Sequence, residues 1–497
     1  MKTTFALIIG NLFFMSNLFA QWDQKGLSLY GEQMWDEFGY SIDIDKDGDC
    51  MVVGATQNNS SVTGGGVGTG YAQVFFFEDG DWTPKGDKLT GFINGNEYGC
   101  DVAISDDGNR VVVGGHMHDN PVSEGGSTKV FEWDGTVWVQ MGEAILGESV
   151  EDRLGWRVSM NADGSTVALS GPQWYFSPKG PGIVKVFDWD GTSWIQRGTT
   201  LSGEGTGDMY GSDISLSKDG NRLAIGGMKW NSSAGHVKIF EWDGSSWTQM
   251  GSTLYGDDYG WESGEGISLS ADGTVVAIGS PECDLYYDFG GQIKVMQWDG
   301  TDWVPKGHPL YTPWNHAGLG TAVELSDDGN RLVGHTFSKE TGLYNTGYLR
   351  VYDWNGTIWE PNSPELDEFI GIGIGRKVSI SGDGKTVGAG WQSDNTIAEF
   401  AGIVKAFGDV YSSVENHSMD NDIIVYPNPF VNELYIRTGE SNEVVSIQIS
   451  DISGQLVFEQ IIDKGQSTID LSKLNSGIYI LRVENEQFSS KKVIVKE

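Results

Sequence analysis

Apolar residues along this chain fall in short runs separated by Gly, Asp and Ser, and helical periodicity is hard to find. One unit shows the pattern: Tyr98 to Ser105, an Asp107-Gly108 turn, the apolar run Arg110 to Gly115, a variable loop, and Thr128 to Trp133. A second turn at Asp134-Gly135 follows, then a run from Trp138. Asp-Gly between apolar runs is a hairpin signal, because Gly accepts the positive φ that such turns need. The unit therefore predicts four antiparallel strands.

The unit repeats. First-turn glycines stand at Gly48, Gly108, Gly164, Gly220, Gly273, Gly329 and Gly384. Nine residues before each lies another: Gly39, Gly99, Gly155, Gly211, Gly264, Gly320 and Gly375. Trp-Asp-Gly marks the second turn at Trp133, Trp189, Trp242 and Trp298, with Trp354-Asn355-Gly356 and a weaker Glu78-Asp79-Gly80. Seven four-stranded units at this period predict an all-β fold, a seven-bladed β-propeller. The seventh unit lacks a Trp-led fourth strand after Ile403 to Phe407, while Trp22, Gly26, Leu29 and Gly31 match the spacing of Trp247, Gly251, Leu254 and Gly256. The N-terminal strand is expected to close the last blade and remove an open edge. The tryptophan heading the fourth strand (Trp22, Trp82, Trp138, Trp194, Trp247, Trp303, Trp359) occurs in every unit and reads as structural.

The unit resembles the FG-GAP repeat. Blade 1 carries it most fully, with Phe38-Gly39-Tyr40-Ser41-Ile42, Val52-Val53-Gly54-Ala55, Gly70 to Phe76 and Trp82. Elsewhere Phe becomes Tyr98, Leu154, Tyr210 or Leu319, and Gly-Ala-Pro drifts to Gly114-Gly115 or Gly279-Ser280-Pro281. The resemblance covers roughly residues 21 to 410.

A polar stretch, 412–422, ends the repeats. Residues 423–497 then carry Val425-Tyr426-Pro427-Asn428-Pro429-Phe430, Asn432 to Ile436, Asp451 to Val457, Leu474 to Val483, and Lys491 to Lys496. Alternating strands with Ser-Gly turns predict a small C-terminal β-sandwich. These landmarks, in this order, resemble the type A sorting domain of the type IX secretion system of Bacteroidota. The resemblance implies recognition by the outer-membrane translocon through residues 423–497, cleavage in the linker, and release or attachment at the cell surface. Residues 1–20, with Lys2, an apolar run from Phe5 to Phe14 and Ala20, read as a signal peptide. The propeller is expected over 21–411.

Charge narrows the partners. The 497 residues hold 69 acidic and 32 basic side chains, a net −37. That balance argues against nucleic acid and anionic membrane as partners, and no later apolar run is long enough to span a bilayer. Ten acidic and seven basic residues lie after residue 422, and Lys2 lies in the leader, so residues 21–422 carry about −35. Three cysteines, Cys50, Cys100 and Cys283, make no disulfide framework.

Candidate chemistry is sparse. Asp43, Asp45, Asp47 and Asp49 alternate before and after Gly48, a pattern that can wrap a hard cation such as Ca²⁺. Some FG-GAP blades bind Ca²⁺ at this turn; here Met51 stands where a further ligand is expected, and a plain solvated turn is the alternative. Aromatics crowd the variable loops: Trp174, Tyr175, Phe176, Trp230, Tyr286, Tyr287, Phe289, Phe337, Tyr344 and Trp391, with Trp314 in an inter-blade loop. On one rim they would stack on sugars or grip a protein; under their loops they would be minor cores. His116, His118, His316 and His335 show no spacing that makes a zinc site. No nucleophile elbow, His-Glu-x-x-His or Walker loop is present. The expected function is an exported, non-catalytic propeller that binds a glycan or a protein. The alternatives are an extracellular polysaccharide-active enzyme using carboxylates on the loop-rich face, and a matrix component without a discrete ligand.

Overall fold

The computed structural model describes residues 22–57, 68–91, 95–119, 121–173, 179–336, 347–366, 377–409, 423–426, 431–438, 445–451, 456–462, 466–484 and 489–496. It divides at Asp409 into two units. Among the described residues no helix is long and apolar enough to cross a membrane.

The first unit is all-β, built from seven antiparallel sheets in which four strands follow each other from the axis outward. Blade 1 runs Phe38–Ile44, Cys50–Ala55, Tyr71–Glu78 and Asp81–Pro84. The innermost strand of each blade packs against that of the next, and Val378–Ile380 of blade 7 returns to Phe38–Ile44 of blade 1. Trp22–Gln24 pairs antiparallel with Ile403–Asp409, Trp22 opposite Asp409, so the N-terminal strand completes blade 7. A fifth, two-residue strand, such as Leu89–Thr90, pairs with the start of the third strand in six blades. Its brevity leaves no hydrophobic period in the sequence to reveal it.

Two repeated residues make the joints. Gly99 has φ +87°, and a Cβ there would lie 2.3 Å from the carbonyl oxygen of Tyr71 in the preceding blade. Glycine is thus required both for backbone conformation and for close approach between blades. The Trp heading each fourth strand donates its indole N–H backward: Trp82 to the Lys25 carbonyl (2.7 Å), Trp138 to Lys85 (2.6 Å), Trp194 to Met141 (2.9 Å). Trp247, Trp303 and Trp359 do the same to Arg197, Met250 and Lys306, and Trp22 reaches the Asn362 side chain at 3.1 Å. The circle of bonds runs through the chain terminus without a break. In the Trp-Asp-Gly turn, Asp134 Oδ1 accepts from the Thr136 and Val137 amides, and Trp133 leans on Trp138 at 5.3 Å.

The second unit holds one sheet of Ile423–Tyr426, Glu433–Thr438 and Gln466–Asp470, and another of Leu456–Ile462, Val445–Asp451, Gly477–Glu484 and Ser489–Lys496. Leu434, Ile436, Ile447, Ile449, Ile469, Leu471, Tyr479 and Leu481 form one core between them.

Candidate functional site

Two places depart from the repeat: the axis of the ring and one stretch of its rim. Counting from each blade's first glycine locates the axial groups. Two residues on stand Ser41, Asp101, Arg157, Asp213, Gly266, Ala322 and Lys377; four residues on stand Asp43, Ala103, Ser159, Ser215, Ser268, Glu324 and Ser379. They lie on the innermost strands or next to them, and Asp43, Arg157, Asp213, Glu324 and Lys377 are among the residues that line a cavity of about 80 Å³.

The outer of these layers is an ion cluster. Lys377 Nζ lies 3.3 Å from Asp213 Oδ1 and 3.6 Å from Asp101 Oδ1, and Arg157 Nε lies 3.4 Å from Asp213 Oδ1. The other oxygens of Asp101 and Asp213 each accept a backbone amide of the next blade, Val158 and Ile267, at 2.8 Å. Burial pushes the Asp101 carboxyl upward in pKa, and Lys377 and Arg157 oppose that shift. Burial disfavours charge on Lys377 too, but Asp101 and Asp213 outweigh it and its pKa lies above the usual lysine value.

The next layer carries one hydrogen bond repeated around the ring. Ser159, Ser215, Ser268 and Ser379 accept from the amides of Leu216, Leu269, Leu325 and Ile44 in the following blade, each at 3.0 Å. Asp43 Oδ2 accepts from Ile104 at 2.8 Å and Glu324 Oε2 from Ile380 at 2.9 Å. The two carboxylates thus do what serine does elsewhere. Burial, then the neighbouring Asp43 carboxylate, pushes Glu324 up to about 8; burial also raises Asp43. Backbone bonds also link the first turns of successive blades, from Asp106 to Ala162, Ala162 to Lys218, Lys218 to Ala271, Ala271 to Asp327, and Asp327 to Gly382.

The four aspartates of blade 1 do not come together. Asp43 lies in a strand and also accepts the Ser379 hydroxyl on Oδ1. Asp45 is buried and uses Oδ1 for the amides of Asp49 and Cys50, capping its own turn as Ser105 does with Arg110. Burial and the neighbouring Asp49 push Asp45 up to about 7, against the two amide bonds. Asp47 is exposed and Asp49 half-buried. Among the described residues no group of three or more His, Cys, Asp or Glu is placed to hold a metal ion.

The rim aromatics divide. Trp174 and Tyr175 lie outside the described residues, as do Phe176, Phe337 and Tyr344. Trp391 corrects the loop expectation: it ends the strand Thr386–Trp391, is 0% exposed, and belongs to the core between blades 6 and 7. Its neighbours Val387 and Ala389 alternate with glycines, which hid the strand's end from the loop boundary. Trp230 is half-buried, edge-on to His236 at 5.4 Å and 4.8 Å from Tyr255; Trp314 is also half-buried.

Tyr286 and Tyr287 are exposed, by 67% and 40%, and Tyr255 (53%), Tyr259 (67%) and Phe289 (43%) join them. Tyr30 is the other strongly exposed aromatic residue among the described ones. The loops carrying them are tied together: Trp261 Nε1 donates to Asp284 Oδ1 (3.1 Å), Tyr286 stands edge-on to Tyr311 (4.8 Å), and His316 N–H donates to the Asp288 carbonyl (2.6 Å). Tyr255 and Tyr259 complete a surface of which sequence reasoning named Tyr286, Tyr287 and Phe289. The signal for it was clustering between 255 and 289, rather than aromatic content as such.

Histidines serve locally. His236 and His335 are buried, and burial lowers them to about 4 and about 3. His118 Nδ1 pairs with Asn96 at 2.8 Å, and His116 lies 3.4 Å from Glu97. An open groove of about 790 Å³ beside Arg222, Glu241 and Asp272 belongs to the repeat, since Arg110, Glu132 and Asp163 make the same contacts in blade 2.

Residues 424–496 match the protein family described as secretion system C-terminal sorting domain. This match decides where the protein goes. It is exported by the type IX secretion system, to the outside of the cell or to its outer surface. No curated protein matches the chain in sequence. Among solved structures it is similar to a provisionally named 6-phosphogluconolactonase from Bacteroides uniformis, at 15% identity and TM-score 0.45, over 66% of this chain and 86% of that one. It is similar also to the GH74 xyloglucanase from Xanthomonas campestris (13%, TM-score 0.43, 84% and 59%) and to Sqt1 from Chaetomium thermophilum (12%, TM-score 0.43, 96% and 100%). At these scores none of the three bears on the activity of this chain.

Proposed function

We propose that this exported protein is a non-catalytic binding propeller that takes an extracellular glycan or protein on the rim of blades 4 and 5. One observation carries the reading: five of the six strongly exposed aromatic residues among the described ones lie between Tyr255 and Phe289. Rings left in water on neighbouring, mutually tied loops cost free energy unless something covers them, and aromatic faces suit both sugar rings and protein hot spots. The polysaccharide-active alternative finds less support. Its best acid pair, Asp43 and Glu324, is engaged with next-blade amides. The cavity beside the pair, about 80 Å³, is well below the roughly 300 Å³ or more of a small-ligand pocket.

The full mature chain applied to glycan and protein arrays tests this, followed by reducing-end assays on any glycan hit. Binding that weakens in Tyr259→Ala/Tyr286→Ala without turnover supports the reading. Turnover abolished by Glu324→Gln would replace it with the enzyme.

A further inference from the structure

The rim is acidic as well as aromatic. In the exposed stretches 257–260 and 284–289, Asp257, Asp258, Asp284 and Asp288 alternate with Tyr259, Tyr286, Tyr287 and Phe289. The basic side chains beside them are already engaged. Lys294 is ion-paired with Asp257, and His316 stacks on Phe289 at 5.6 Å and lies 3.6 Å from Asp288. Elsewhere in the propeller, rings carry a cation of the chain's own: Lys25 over Phe77 at 4.7 Å, Arg197 over Trp242 at 4.9 Å, Lys306 over Trp359 at 5.6 Å. Over Tyr259, Tyr286, Tyr287 and Phe289 no lysine or arginine is placed among the described residues.

We infer that the rim of blades 4 and 5 docks a polypeptide segment rich in Lys and Arg. This rests on the rim being a binding surface and names what binds there. A ring face attracts an ammonium or guanidinium group, and a carboxylate beside the ring adds a charge-assisted bond to the same group. An anionic glycan would meet four carboxylates and be repelled. A neutral glycan would cover those carboxylates without supplying a charge, at the cost of their hydration. A basic segment answers both features. Its stems lie on Tyr and Phe while the heads reach Asp, and an extended chain sets alternate side chains about 6.6 Å apart on one side. The charge of about −35 on residues 21–422 attracts such a segment from a distance, and among the described residues the rim holds every strongly exposed ring but Tyr30.

The test uses the full mature chain and a fluorescein-labelled twelve-residue peptide of alternating Lys, Arg and Gly, read by anisotropy at physiological salt. Gln-for-Lys/Arg and Glu-for-Lys/Arg versions, a neutral β-glucan oligosaccharide and a glucosamine oligomer are compared. The expected result is binding of the basic peptide that weakens about tenfold in Tyr259→Ala/Tyr286→Ala, as loss of two cation–ring contacts gives. A similar loss is expected in Asp258→Asn/Asp288→Asn, and little change in Glu78→Gln/Glu360→Gln, two exposed acids on other blades. Equal weakening by the remote pair would reduce the effect to bulk charge and overturn the inference. Binding of the glucan or the glucosamine oligomer at the same tyrosines, without peptide binding, would overturn it while leaving the rim as a binding site. Failure of the basic peptide and of both oligosaccharides to bind, with no array hit lost on Tyr259→Ala/Tyr286→Ala, would remove both readings.

Discussion

The axis and the rim hold the two conspicuous groups of this propeller, and they differ in what their polar atoms face. At the axis Asp43 and Glu324 occupy a position that is serine in four blades, and all six make one hydrogen bond to the next blade. At the rim Tyr259 and Tyr286 stand on no repeated position and show two-thirds of their surface to solvent. Perturbed carboxylates in a cavity are a usual mark of a catalytic centre. Here the perturbation comes from burial and, for Glu324, from the neighbouring Asp43, while the inter-blade amide bonds oppose it. A departure from the repeat can thus still join blades, as Asp43 and Glu324 do, or stand in solvent, as Tyr259 and Tyr286 do.

Replacements should separate the two regions by their effect on stability. Trp391→Ala, which empties a fully buried site, should cost about 3–5 kcal/mol in denaturant unfolding; a loss below about 1 kcal/mol would return Trp391 to the surface. Lys377→Met leaves Asp101 and Asp213 with Arg157 as their one remaining cation and should cost about 3 kcal/mol.

Asp43→Ala strands the Ile104 amide and should cost about 1–3 kcal/mol, whereas Asp43→Asn keeps an acceptor and should be much milder. The charge itself is tested by pH. Glu324 is shifted from its usual 4.5 to about 8, so the folded state holds a proton that the unfolded state has released. Its contribution is fully present below about 4.5 and is lost as pH rises through about 8. Unfolding free energy should therefore fall across that window, and Glu324→Gln should flatten the slope. Ala103 breaks the serine ring in blade 2. Ser268→Ala, which strands the Leu325 amide, should cost about 1–3 kcal/mol, and Ala103→Ser should add about 0.5–1 kcal/mol.

Much of the ring was legible because its joints are chemically demanding. Gly99 and its counterparts need both a positive φ and the absence of a Cβ, and each fourth-strand Trp needs an indole N–H, so neither position drifts. The N-terminal strand was legible for the same reason, since Trp22 keeps the joint spacing. The axial ion cluster was missed although its signal was present. Asp101, Arg157, Asp213 and Lys377 share one offset from the first glycine, but a charge in a strand reads as a solvated face until the strand is known to line an axis. The calcium reading treated alternating aspartates as one loop. Asp43, however, lies in the preceding strand and faces the axis, leaving Asp45 to cap the turn. The rim was half legible: tyrosines could be assigned to loops, but whether each is buried depends on contacts between blades, as Trp230 against Tyr255 shows.

Tyr259→Ala/Tyr286→Ala tests the central contrast most directly, by melting temperature and ligand anisotropy on the same preparation. With both rings exposed, stability should stay within about 0.5 kcal/mol of the parent, while binding of the basic peptide falls about tenfold. Unchanged binding with lowered stability would contradict the account, because it would place the rim among the structural joints and leave the ligand to be sought elsewhere.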